Sequence, residues 1–109
     1  MARNFNSSNS KSLKIKEEIK ITDPSLALIV FHEKKKMILK MLLEKAMTIQ
    51  DLKKATNLNP GTIKRHLDDL VKNKLVFVAQ VKYSDYNIRM KYYRATAKNF
   101  IINIKISGN

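Results

Sequence analysis

Apolar residues recur at intervals of three and four through the middle of the chain, a period that belongs to helices. In "MILKMLLEKA" they are Ile38, Leu39, Met41, Leu42 and Leu43, and in "IQDLKKAT" they are Ile49, Leu52 and Ala55. After Pro60 the stripe is Ile63, Leu67, Leu70 and Val71. Start signals sit at the right places. Asp23 precedes Pro24, Thr48 stands three residues before Asp51, and Asn59 precedes Pro60. Each is a side chain able to accept an orphan amide at a helix start, and proline has no amide to leave unpaired. Asn57 tolerates the left-handed backbone a tight turn demands, and Leu58 is placed to plug the gap between the two helices it separates.

The period then changes. "LVFVAQVKY" and "IRMKYYRA" are rich in β-branched and aromatic residues and flank the polar tip "SDYN", which predicts a β-hairpin. In its second strand Ile88, Met90 and Tyr92 alternate with Arg89, Lys91 and Tyr93. The expectation is an apolar face packed on the helices and a largely basic face turned away. Thr96 is placed to cap a last helix over "AKNFIINIKI", although that run of Phe and Ile suits a strand equally well. Residues 1–22 mix "NFNSSNSKS" with "LKIKEEIKI" and fit neither period, so they are expected to form a basic, mostly flexible tail ahead of a single domain over 23–109. The fold class expected is mainly α with a small β-hairpin, a winged helix-turn-helix.

Charge narrows the partners. With 22 Lys and Arg against 9 Asp and Glu, the formal net charge is +13. Clustered cations of this kind release counterions from a polyanion, and nucleic acid is the leading candidate. The longest apolar run, "LALIVF", is far short of the ~20 residues a membrane-spanning helix needs, and the N-terminus lacks the apolar stretch of a secretory signal. No membrane partner and a cytoplasmic, nucleoid-associated location are therefore expected. The chain has no Cys and two His, a poor set for zinc and none at all for a thiolate. It also lacks a Gly-rich phosphate loop and any carboxylate pair in an apolar setting. No catalytic residue, cofactor or metal is expected, and the chain is read as a non-enzyme.

"TIQDLKKATNLNPGTIKRHLDDLVKNKLV", followed by "KYYRATAKNF", resembles the ArsR-type transcription regulators and their archaeal relatives, over about Asp23 to Ile106. The resemblance implies a homodimer on double-stranded DNA, with the helix from about 59 to 72 in the major groove and the wing from about 75 to 95 on the backbone or in the minor groove. The thiolate box of metal-sensing members is absent. Where the family often has a small residue, commonly Ala, this chain has Lys53.

Read from the residues alone, the stripe Ile63, Leu67 and Leu70 turns Thr62, Lys64, Arg65 and Asp69 outward near the helix start, where base edges are met. Asn59 and Gly61 place an amide-rich terminus beside a phosphate. Lys53 and Lys54 on the preceding helix, and Lys82, Tyr86, Arg89 and Lys91 on the wing with Arg94, Tyr83 and Tyr93, make a basic ribbon able to track a backbone. The plainer alternatives are a solvated charged face and an ordinary ion pair from Arg65 to Asp69, four residues on. His66 lies at the edge of the stripe and is expected to pack rather than react. Excess apolar surface on the first and last helices expected points to a dimer interface with Leu28, Ile29, Phe31, Phe100, Ile101 and Ile104 as candidates. Two other functions use the same fold: docking of a protein, and non-specific coating of DNA.

Overall fold

The structure, a computed structural model, describes residues 15–108. Its elements are β1 (Ile19–Ile21), α1 (Pro24–Phe31), α2 (Glu33–Glu44), α3 (Ile49–Thr56), α4 (Pro60–Lys72), β2 (Val76–Tyr83), β3 (Arg89–Ala95) and β4 (Phe100–Ile102). The helix starts follow the local chemistry. Asp23 Oδ1 accepts from the Ser25 amide at 2.9 Å, and Asn59 Oδ1 accepts from the Gly61 amide at 2.7 Å. Thr48 and Asp51 form a full capping box, each side chain accepting from the other residue's amide at 3.1 and 3.0 Å. Such a cap contributes about 1 kcal/mol. Asn57 ends α3 in the left-handed region, at φ 62°, and this sets the angle at which α4 departs.

The helical stripes meet in one core. Ile38, Leu42, Leu52, Ile63, Leu67 and Leu70 are fully enclosed, joined by Ile21, Leu75, Val76, Tyr93 and Ala95. Leu58, in the turn, packs against the same cluster. β2 and β3 pair antiparallel, with a register shift between Val78 and Gln80. Ser84 organises the tip: its hydroxyl oxygen accepts from the Tyr86 and Ile88 amides at 3.2 and 3.1 Å, and Asn87 takes φ 61°.

The strand faces differ from the expectation. Tyr93 is buried, while Ile88 is 61% exposed and Met90 and Tyr92 are only half-buried. The reason lies on the free edge of β3, where Met47 pairs with Tyr93 through two backbone bonds, N–H to O at 2.9 and 2.8 Å. That third strand-like contact seats Tyr93 and Ala95 on the helices. Arg94 also leaves the basic ribbon. Its Nε donates to the Leu42 carbonyl at 3.0 Å and its Nη2 to the Leu43 carbonyl at 3.4 Å, satisfying carbonyls that the end of α2 would leave unpaired.

The segment after the wing is a strand, not the helix expected over 97–106. β4 pairs in parallel with β1, Ile19 opposite Phe100 and Ile21 opposite Ile102. Thr96 does not cap a helix; its hydroxyl donates toward the Lys74 and Leu75 carbonyls at 2.9 and 3.1 Å. Ile19–Ile21 fall within the expected tail, and their pairing with β4 brings that segment onto the domain. The rest of the expected tail, residues 1–14, lies outside the described residues. No helix among the described residues is long and apolar enough to cross a membrane.

Candidate nucleic-acid interface

The polar front of α4 is fixed by what lies beneath it. Because Ile63, Leu67 and Leu70 are buried on one side, Lys64 and Arg65 are exposed and Thr62 is half-buried at the helix start. Asn59 and Gly61 are exposed just ahead of them, and Lys53 and Lys54 are exposed in the last turn of α3. A Cβ at Gly61 would sit 3.1 Å from Asn59 Oδ1. The glycine therefore also leaves room for the cap, a reason for it that the sequence reading did not include.

Ion pairing on α4 is not the Arg65 to Asp69 pair considered above. Lys64 Nζ donates to both carboxylate oxygens of Asp68, at 2.7 and 2.8 Å. Asp69 pairs instead with Lys35 on α2 at 3.2 Å, which turns it toward the neighbouring helix rather than the front. Both choices were open at four-residue spacing, and the position of Lys35 decides between them. The hydrogen bond that Lys64 donates to Asp68 raises the lysine's pKa above its ordinary value, so the ammonium remains charged.

Between α4, the start of α3 and the wing lies a cleft of about 650 Å³. Lys64, Arg89 and Lys91 bring cations to it from two elements, with Tyr86 at its edge, and no Asp or Glu is among its lining residues. The structure thus joins four of the candidate residues. Arg65, Lys53, Lys54 and Lys82 do not line the cleft. Lys82 sits with its Nζ 5.2 Å from the centre of the Tyr92 ring, a cation–π contact on the wing. Sequence reading missed Ile49, Gln50, Ser84 and Met90 as cleft residues. Their only signal was proximity to the hairpin tip and a capped helix start, and neither period reveals that those two places face each other. Burial raises the Tyr93 pKa, with Lys64 opposing, so its phenol stays neutral.

His66 is buried, as expected for packing, at 5% exposure. Its ring lies 5.1 Å from that of His32, and its Nδ1 has no hydrogen-bond partner. Burial is the main cause of its lowered pKa, aided by Lys35, His32 and Arg65 and opposed by Asp69. The folded protein therefore takes up this proton less readily than the unfolded chain. Stability is full above the ordinary histidine pKa of about 6.5, and is lost as pH falls from there toward the lower folded value, at no more than ~1.4 kcal/mol per pH unit. Urea midpoints should accordingly drop between about pH 7.5 and about pH 5.5, and His66→Leu should reduce the drop. An equal drop in both proteins would assign it elsewhere. No group of three or more His, Asp or Glu among the described residues is arranged to hold a metal ion.

Four helices, a left-handed turn before the last of them and a β-hairpin make this a winged helix-turn-helix. Residues 32–76 match the model of the bacterial regulatory protein, arsR family. Two solved structures are similar. One is a transcriptional regulator, HlyU, from Vibrio vulnificus CMCP6, with TM-score 0.55 and 19% identity, covering 86% of this chain and 83% of that one. The other is reduced HlyU from Vibrio cholerae N16961, with TM-score 0.53 and 17% identity, covering 87% and 82%. At such identities the likeness is one of fold. No curated protein matches the chain.

Proposed function

We propose that this protein is a homodimeric, sequence-specific regulator of transcription that binds double-stranded DNA in the cytoplasm. In this reading α4 enters the major groove with Thr62, Lys64 and Arg65 at base edges, and the wing follows the backbone or the minor groove. The observation that carries it is the convergence of Lys64, Arg89 and Lys91 from α4 and β3 on one acid-free cleft, in a chain of net charge +13. A cation-lined cleft between two protruding elements suits a phosphate chain passing between them, which would compete with Asp68 for the Lys64 ammonium. Asn59, Gly61, Lys53 and Lys54 flank that path. Lys82 and Tyr86 extend it along the wing, and Asp69 drops out of it because Lys35 engages its carboxylate.

The dimer reading rests on exposed apolar side chains. Leu28 and Phe31 on α1 are 73% and 57% exposed, and Ile101 on β4 is 40% exposed. Ile29, Phe100 and Ile104 pack against the protein's own core, so the first three are the interface candidates that remain. The test of the whole reading is a titration of a labelled duplex at several salt concentrations, with a random-sequence duplex beside one selected from a pool. A log–log slope near −0.9 for each neutralised phosphate and tighter binding to the selected duplex are expected. A flat slope would remove the electrostatic basis, and equal affinity for both duplexes would leave only non-specific coating.

A further inference from the structure

The cleft between α4 and the wing holds more apolar surface than a phosphate track needs. Ile49, Met90 and Tyr93 line it, and Ile88 and Tyr86 stand at its rim. Ile88 is 61% and Tyr86 86% exposed. Contacts to a sugar-phosphate backbone go mostly to its phosphate oxygens and call chiefly for cations and hydrogen-bond donors. Apolar walls with a few convergent polar groups, at a volume within the ~300–1,000 Å³ of small-molecule sites, describe a ligand pocket.

We propose that this cleft binds a small aromatic anion, its ring lying against Ile49, Met90 and Tyr93 and its acidic group drawn to Arg89, Lys91 and Lys64. The pattern of charge favours an anion over a neutral ring or a cation, because three cations and no carboxylate line the cleft. Arg89 offers the planar fork that meets a carboxylate or phosphate through two bonds. Lys64 is held by Asp68 on the outside of α4, and an anion in the cleft competes with that carboxylate for the ammonium. Arg89, Lys91 and Lys64 are also the cations assigned to DNA above, so the second half of the inference rests on that reading: anion and duplex exclude one another.

The binding test uses the whole protein without DNA. Benzoate is compared with benzamide, and adenosine 5′-monophosphate with adenosine, by titration calorimetry and tyrosine fluorescence. The two pairs separate a carboxylate from a phosphate as the preferred acid. Saturable one-site binding of at least one anion is expected, about tenfold or more tighter than that of its neutral counterpart, since the difference is a charge-assisted contact. Arg89→Gln, a change at an exposed position that leaves the core intact, should weaken it by a similar factor. No binding of either anion, equal binding of anion and neutral counterpart, or binding indifferent to Arg89→Gln would overturn the site. In a second experiment the tighter anion is added to the protein–duplex complex. Release of duplex is expected, and retention of both together would overturn the exclusion. Loss of DNA binding in the salt titration with anion binding intact would fail the regulator reading alone.

Discussion

Replacing Leu67 by alanine should lower the stability of the domain by about 2–5 kcal/mol, the range for a large apolar side chain removed from a closed core. Leu67 lies on α4 with no exposed surface, in the cluster that includes Ile38, Leu42, Leu52, Ile63 and Leu70. These residues come from three helices, so the cavity has no single flexible wall that can collapse into it. With a total stability of ~5–15 kcal/mol for a domain of this size, the loss is a large fraction of what holds the fold. Thermal melts should shift down by roughly 10 °C or more. Val71, the next apolar residue after Leu70 on α4, is 38% exposed, and Val71→Ala is the matched control. If the two variants melt together, α4 is not anchored through Leu67 and the placement of its polar front loses its basis.

The double variant Arg89→Ala, Lys91→Ala should bind duplex about a hundredfold more weakly at ~0.1 M salt, with the log–log slope smaller by ~1.8. Each lost phosphate contact removes about 0.9 of slope, which at that salt is close to tenfold in affinity. Arg89 is exposed and Lys91 half-buried on the wing, so the fold should survive, and circular dichroism checks that it does. Affinity and slope equal to wild type would remove the wing from the interface. A reduced affinity with an unchanged slope would mean that the substitutions act through shape rather than charge.

What local chemistry dictates was readable in the amino-acid sequence. The caps at Asp23, Thr48 and Asn59 and the left-handed Asn57 depend on residues within three positions of each other, and all appear as expected. The buried side of α4 follows from spacing alone. Failures came where a distant partner decides. The face of β3 is settled by Met47, far away in sequence, which pairs with Tyr93 and draws it inward. Strand alternation predicts that two faces exist and says nothing of which one is buried when both carry aromatics. The run from Phe100 to Ile102 has the composition of either element, and it becomes a strand because β1 supplies a backbone to pair with. Arg94 read as a wing cation, and the open carbonyls of Leu42 and Leu43 take it instead. The cleft has the same character. Its cations were visible one by one, and their meeting with Ile49 and Met90 depends on how the hairpin packs against α2 and α4.

The parallel pairing of β1 with β4 imposes an order on assembly. Hydrogen bonds tie Lys16 to Thr96 and Lys98, Ile19 to Asn99 and Ile21 to Asn103, and an ion pair joins Glu17 to Lys98 at 3.3 Å. As the chain emerges from the ribosome, α1 to α4 meet through neighbours close in sequence and can dock early. β1 precedes these helices in the chain yet must wait for β4, since pairing across so long a loop carries a closure cost that only a formed core repays. A strand made before the helices thus finds its partner only after the wing behind them is complete. Until then its open edge is available to pair with another molecule.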